Sequence, residues 1–177
     1  MKKLGLTLLL FFTSNTYSET INGHTLPPEP NPKINNSTLL GIDSNNNGVR
    51  DDVERWIYKT YKHPIEIGIF MQSARAYNMV IVDPSKAKET RNHISNIVGC
   101  IGYWKYYSKE NNETYILDPF RDTSSEINKI QFNTRKRHMV YERFNRELSG
   151  GVYGSSGMAK EKCEFDENGI LKPLKDK

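Results

Sequence analysis

Apolar residues recur at spacings of three and four over most of the chain, which is the period of helices that pack on one side. The first stripe predicts a helix that ends at His63-Pro64, and its members are Val53, Trp56, Ile57 and Tyr61. A second helix is predicted over 64–82. Its apolar residues cover more than half of its circumference, so we expect it in the middle of a bundle.

Two more helices are predicted in the second half of the chain. Asp83-Pro84 is typical of an N-cap followed by a first helical residue, and it predicts a third helix that continues to about residue 107. Thr123 and Glu126 fit a capping box, which opens a fourth helix over 124–148. These patterns predict a mainly α protein, a small bundle of about four helices.

The segments at the two ends of the bundle lack a helical pattern. Residues 19–40 are polar and contain four prolines, which lack the amide that a helix uses, so we predict a proline-rich extended arm. Near the other end, residues 162–172 predict a short C-terminal β-hairpin that turns at Asn168-Gly169. Between the third and fourth helices, residues 115–117 have the composition of a short strand.

The first residues have the pattern of a secretory signal peptide. Two lysines precede an apolar run, and small residues follow at Thr16 and Ser18, so we predict cleavage after Ser18. The apolar run is about half the length that a transmembrane helix needs. We therefore expect a periplasmic or secreted protein with no transmembrane segment, in which residues 41–177 form a single helical domain.

Two cysteines, Cys100 and Cys163, are the only ones in the chain. An isolated pair in an oxidising compartment favours a disulfide, which would fasten the C-terminal hairpin to the third helix. The alternative is a pair of buried free thiols. No Cys-x-x-Cys motif is present, so we expect a structural and not a redox role.

The charge balance is mild, because the formal net charge of +4 falls to +2 when the two lysines of the signal leave. So mild a balance does not argue for nucleic-acid binding, and we expect no nucleic-acid partner. The fourth helix nevertheless has a basic side, which includes the run from Arg135 to Arg137 and is represented by Lys129, Lys136 and Arg143. Neighbouring glutamates offset about half of this charge, so it is either a solvated face or a docking surface for an acidic protein or an anionic surface.

The segment with the sharpest chemistry is residues 43–54, which read DSNNNGVRDDVE. Oxygen-bearing side chains occupy its first, third, fifth, ninth and twelfth places, and a glycine occupies the sixth. This spacing predicts a calcium (Ca²⁺) site, with side-chain, backbone-carbonyl or water-mediated ligands from Asp43, Asn45, Asn47, Val49, Asp51 and Glu54. The alternative is an asparagine-rich turn followed by ordinary residues of a helix start.

The segment resembles the calcium loops of the EF-hand superfamily. It is most similar to the exported half-hand forms of dockerins and thrombospondin type 3 repeats, and it also resembles GVRDDVE loops of bacterial exported proteins. The prolines before the loop exclude an incoming helix. At the eighth place, where paired EF-hands carry an apolar residue, this chain has Arg50. The resemblance therefore implies a single unpaired loop that acts as a structural clamp.

Two classes of function follow from these patterns. The first is an exported calcium-binding protein in which the ion stabilises a helical binding module. The second is a periplasmic enzyme with a site assembled from dispersed residues, such as His93 or His138 with a neighbouring carboxylate. The sequence contains no HExxH, GxSxG or phosphate-binding GxxxxGK[ST] motif, which favours the binding module.

Overall fold

Helices make up most of the chain in the computed structural model, which describes residues 18–153 and 157–174. The predicted signal peptide, apart from Ser18, lies outside the described residues. The described helices and strands are β1 (Glu19–Ile21), β2 (His24–Leu26), α1 (Pro32–Asn35), α2 (Asp51–Thr60), α3 (Pro64–Val82), α4 (Ala87–Gly102), α5 (Thr123–Gln131) and α6 (Arg135–Leu148). The predicted fold class, a mainly α bundle, is confirmed.

The helix α3 forms the centre of the bundle. It starts at Pro64, and the His63 ring accepts a hydrogen bond from the backbone N–H of Ile65 at 3.2 Å. Fourteen of its 19 residues are buried, and it packs against α2, α4, α5 and α6. The predicted central position of this helix is therefore confirmed. Across the described ranges, no helix is long and apolar enough to span a bilayer.

The third predicted helix has irregular ends. A 3₁₀ turn at Pro84–Lys86 precedes α4, and Asp83 caps it through the backbone N–H of Ser85. A π-helical turn at Tyr103–Tyr107 follows α4. The predicted strand over 115–117 does not form; instead the Leu117 N–H donates to the Trp104 carbonyl at 3.0 Å.

The predicted fourth helix is two helices, so the continuous helix over 124–148 is wrong. Phe132 ends α5 and turns into the core, where its ring lies 5.5 Å from Tyr77 and 4.5 Å from Tyr141. Thr134 then starts α6, because its hydroxyl accepts a hydrogen bond from the N–H of Arg137 at 3.3 Å. A buried aromatic side chain and a helix cap together separate the two helices.

The N-terminal arm is not extended throughout, which corrects the prediction for 19–40. The strands β1 and β2 form an antiparallel hairpin. Its turn is Asn22-Gly23, with φ angles of 51° and 82°, and Asn-Gly is the pair that such tight hairpins prefer. The first helix, α1, follows, and the Asn31 side chain caps it.

The C-terminal segment is held by the disulfide Cys100–Cys163, which confirms the predicted pairing and ties this segment to α4. The predicted hairpin over 162–172 is reduced to a 3₁₀ turn and one antiparallel bridge, between Phe165 and Leu171. Gly169 lies against the carbonyl of Pro64, where a Cβ atom would come within 2.3 Å. This close contact limits the residues that fit the turn.

Candidate metal centre

The loop over 43–50 leads directly into the first turn of α2. The N–H of Asp51 donates to the carbonyl of Ile42 at 2.8 Å, which closes the loop at its base. Gly48 has a φ of +83°, a value that side chains disfavour. It also lies against α3, since a Cβ atom there would meet Arg75 Cγ at 3.0 Å. The positive φ therefore favours glycine at the sixth place, and a Cβ atom there would also require Arg75 to shift slightly.

The first half of the loop is organised by the Asp43 carboxylate. One of its oxygens accepts a hydrogen bond from the N–H of Asn47 at 3.2 Å, and the other accepts one from the N–H of Gly48 at 2.9 Å. The Asn47 side-chain oxygen accepts one from the N–H of Val49 at 2.8 Å. Val49, the predicted backbone ligand, has its side chain fully buried in the core.

The second half of the loop brings two buried acids from α2 to the same place. Asp51 is 1% exposed and accepts hydrogen bonds from the N–H and hydroxyl of Ser44, at 2.9 and 2.6 Å. Glu54 is 5% exposed and accepts one from the Asn45 amide at 3.0 Å. Five of the six predicted ligands thus interact through their side chains within a single loop and helix turn.

The three carboxylates of the loop, those of Asp43, Asp51 and Glu54, have no cationic side chain beside them among the described residues. Burial raises the pKa of Glu54 to about 7; the charges of Asp51 and Asp43 add to this, and hydrogen bonds from Asn45 and Asn47 oppose it. Burial likewise raises the pKa of Asp43. Across the described residues, no lysine, arginine or histidine nitrogen lies within 4.0 Å of these three carboxylates.

The chemistry of the predicted donors fits calcium, although their side chains do not form a complete coordination shell. Within the described part of the chain, no three His, Cys, Asp or Glu side chains stand together as metal ligands. The loop oxygens instead accept hydrogen bonds from the loop's own N–H, hydroxyl and amide groups. The predicted donors are three carboxylates, two amides and a backbone carbonyl, all oxygens, which suit a hard cation and not zinc.

Arg50, at the eighth place, connects the loop to α5. It is 1% exposed, and its guanidinium donates to the carbonyls of Ile130 and Gln131, at 2.9 and 3.1 Å, as well as to the Asp52 carboxylate. Helix C-termini carry free carbonyls and partial negative charge, which an arginine satisfies. The eighth place of the loop thus carries a buried arginine that bonds to the carbonyls at the end of α5. The adjacent Asp52, which accepts a hydrogen bond from Arg50, is the one partner of Arg50 that lies close to it in the sequence.

A second buried arginine, Arg137 of α6, fastens the arm that precedes the loop. Burial, followed by the charge of Arg50, lowers its pKa to about 10. It donates only to uncharged oxygens, which are the carbonyls of Asn35, Thr38 and Leu39 and the side chains of Asn36 and Asn133. Sequence reasoning placed Arg137 in a basic run, whereas the structure buries it.

The predicted partner-binding face is accessible. Lys129 of α5 and Lys136 and Arg143 of α6 are all exposed, and the latter two lie two turns apart on α6. Arg143 has a loose contact of 3.9 Å with Glu147. Its neighbour Arg137 does not belong to this face, since it is buried.

The two histidines of the enzyme hypothesis lie in different surroundings. His138 is exposed on α6, with a nitrogen 3.7 Å from Glu142. His93 Nδ1 lies 3.7 Å from Glu164, but Arg75 and Asn96 already donate hydrogen bonds to that carboxylate. Burial raises the pKa of Glu164, yet the nearby His93 and the hydrogen bonds from Arg75 and Asn96 outweigh this effect and lower the pKa to about 2. A carboxylate so strongly ionised is a poor general base.

Comparison with protein-family models, with curated proteins and with solved structures finds no match for this chain, so its function is argued from the residues and their geometry alone.

Proposed function

We propose that this is an exported calcium-binding protein in which the ion has a structural role in a helical binding module. The observation that supports the proposal is that the charges of Asp43 and Asp51 act on the buried Glu54, and that no cationic side chain among the described residues lies within 4.0 Å of these carboxylates. Uncompensated buried charge is costly, and a divalent cation would compensate it. The loop spacing supplies the independent sequence argument.

The ion would be held by Asp43, Asn45, Asn47, Val49, Asp51 and Glu54. When bound, it supplies positive charge at the junction between the arm and α2. The chain's own residues position that junction: Arg50 fixes the loop to α5, and Asn35 accepts a hydrogen bond from the N–H of Ile42 at 2.9 Å. By analogy with extracellular modules we expect a Kd of about 10⁻⁵ to 10⁻³ M.

Thermal melts of the mature protein in calcium, magnesium and chelator test the proposal. A ligand that binds only the folded state adds about 2.7 kcal/mol at a hundredfold excess over Kd. We expect calcium to raise the Tm, and magnesium to raise it less. Glu54→Gln should lose the calcium response, whereas Glu110→Gln, which removes an exposed carboxylate outside the loop, should keep it. An identical Tm of the native chain in all three solutions would refute the calcium site.

The binding surface of the module would be the face defined by Lys129, Lys136 and Arg143, and its partner an acidic protein or an anionic surface. Exposure and positive charge support this assignment. Replacing all three residues with glutamate should abolish binding to anionic phospholipid vesicles or to an acidic partner. Equal binding by the native and the substituted chains would refute it.

A further inference from the structure

Three asparagines of the chain, Asn35, Asn36 and Asn112, are each followed two places later by a serine or a threonine. None of the intervening residues is proline. This is the acceptor motif for asparagine-linked glycans in exported proteins. Transfer also requires that the enzyme reach the asparagine amide and the hydroxyl that follows it, and the three sites differ in this respect.

The first two sites are held by contacts of the N-terminal arm. Asn35 is 1% exposed. The side-chain oxygen of Asn36 accepts a hydrogen bond from the Arg137 guanidinium at 2.7 Å. The hydroxyls of Ser37 and Thr38, which complete the two motifs, each make a hydrogen bond with a neighbouring backbone group, at 2.7 and 3.0 Å. Modification of either site would therefore require that the arm first leave Arg137.

Asn112 lies instead in an open turn. It is exposed and has a φ of 57°, and Thr114, which completes its motif, is exposed as well. Within the described part of the chain, neither the Asn112 amide nor the Thr114 hydroxyl makes a hydrogen bond. The turn belongs to the connection between the π-helical turn at Tyr103–Tyr107 and α5, and residues 108–122 contain no helix or strand. Exposed connections are the segments that enzymes acting on a folded chain reach most readily.

The residues on either side of Asn112 hold the turn to the body of the protein. The Asn111 amide donates a hydrogen bond to the Tyr107 carbonyl at 2.8 Å, and the Glu113 carboxylate pairs with Lys160. Both contacts lie at the surface, where ion pairs and hydrogen bonds contribute little to stability. The segment can therefore leave the surface and enter the cleft of an enzyme without disturbing the core.

An acidic residue distinguishes the same site from the other two. Bacterial oligosaccharyltransferases require Asp or Glu two places before the acceptor asparagine. Glu110 stands there before Asn112, whereas Lys33 and Ile34 stand there before the other two asparagines. Glu110 is exposed, so its carboxylate is accessible. The motif and the exposure thus select one asparagine of the three.

We propose that Asn112 is the acceptor of an N-linked glycan, which an oligosaccharyltransferase transfers from a polyprenyl diphosphate-linked oligosaccharide. In this step the Nδ2 atom of Asn112 forms a bond to C1 of the first sugar, and the bond from C1 to the diphosphate oxygen breaks. The polyprenyl diphosphate leaves with the electron pair of that bond, and one Nδ2 proton passes to a base of the transferase. The inference rests on export, which the proposed function includes, but it does not require the calcium site.

Incubation of the folded mature protein with a purified bacterial oligosaccharyltransferase and a polyprenyl diphosphate-linked oligosaccharide tests the site. Intact mass and peptide mapping measure the product, and a synthetic peptide of residues 109–115 serves as the positive control for the enzyme. We expect one glycan, on Asn112. No glycan on the folded chain, or a glycan on Asn35 or Asn36, would overturn the proposal. A Tm that does not respond to calcium would refute the calcium site alone.

Substitutions at exposed residues of the motif locate the transfer. Thr114→Val should abolish it, whereas Thr114→Ser, which keeps the hydroxyl, should retain it. Glu110→Gln should lose most of the modification, and Glu161→Gln, at an exposed glutamate outside the motif, should be modified like the native chain. Circular dichroism checks that each variant is folded. Transfer at the native level to Thr114→Val or to Glu110→Gln would overturn the assignment.

Discussion

Replacing Arg50 with leucine removes the buried guanidinium that joins the loop to α5, and we predict that it destabilises this protein. The variant leaves the carbonyls of Ile130 and Gln131 without their buried donor. Each unsatisfied buried acceptor costs about 1–3 kcal/mol. Asp52 also loses its partner. Burial of the leucine offsets part of this cost, so we expect a net loss of about 3 kcal/mol.

Urea unfolding of the mature protein, followed by circular dichroism, measures this loss. About 3 kcal/mol is a large share of the 5–15 kcal/mol typical of a domain, so the transition midpoint should fall clearly. Arg50→Lys keeps the charge but not the forked donors, and it should give an intermediate value. Arg135→Leu removes an exposed arginine of α6 and serves as the control.

Two other results for Arg50→Leu would contradict this prediction. If Arg50→Leu were as stable as the native chain, the bonds to α5 would contribute no net stability and the role assigned to Arg50 would be refuted. If the variant were more stable and dimeric, the leucine would be buried against a second copy and not against α5.

Three further predictions concern the segments that surround the loop. The pKa of Glu164 is lowered from 4.5 to about 2, so the stability that its carboxylate contributes is complete above pH 4.5 and is lost as the pH falls towards 2. In Glu164→Gln, the free energy of unfolding should therefore depend less on pH over this range, by about 3 kcal/mol. Unfolding curves at several pH values measure this difference. Replacing both Cys100 and Cys163 with serine removes a cross-link with a sequence separation of 63 and should lower the free energy of unfolding by about 4 kcal/mol. The Tm of this variant should be lower than that of the native chain, and reducing agent should no longer change it. Arg137→Met leaves several carbonyl oxygens of the N-terminal arm without a donor. Amide hydrogen exchange should then be faster at residues 35–39. Unchanged exchange rates there would contradict the role of Arg137 in holding the arm to α6.

The helices were predictable because their signal is local. The apolar period of α3 and the Pro64 start lie within the helix itself, and the structure places both where the sequence predicts them. The break between α5 and α6 was missed because the stripe that contains Ile130, Thr134 and Tyr141 keeps one helical period across it, on a face that does not include Phe132. Only its contacts with Tyr77 and Tyr141 show that it turns inward. A cap at Thr134 was available as a sequence signal, but the longer stripe concealed it.

The candidate site divides in the same way between local and long-range interactions. The oxygen donors lie within twelve residues, so their spacing alone predicts that they meet. Arg50 and Arg137 act on carbonyls 80 to 102 residues away in the chain, and a sequence displays only their charge. Solvated surface is the usual environment of such residues, which explains the wrong placement of Arg137.

These two arginines also bear on what calcium would do. A calcium sensor needs an element that moves between two arrangements when the ion binds. Here Arg50 holds the loop to α5, while Arg137 holds the preceding arm to α6. Moving either segment would leave a buried guanidinium and several carbonyls without partners, at a cost of several times about 1–3 kcal/mol. An ion of modest affinity does not supply that much free energy beyond its own binding, so we expect calcium to stabilise this loop and not to switch it.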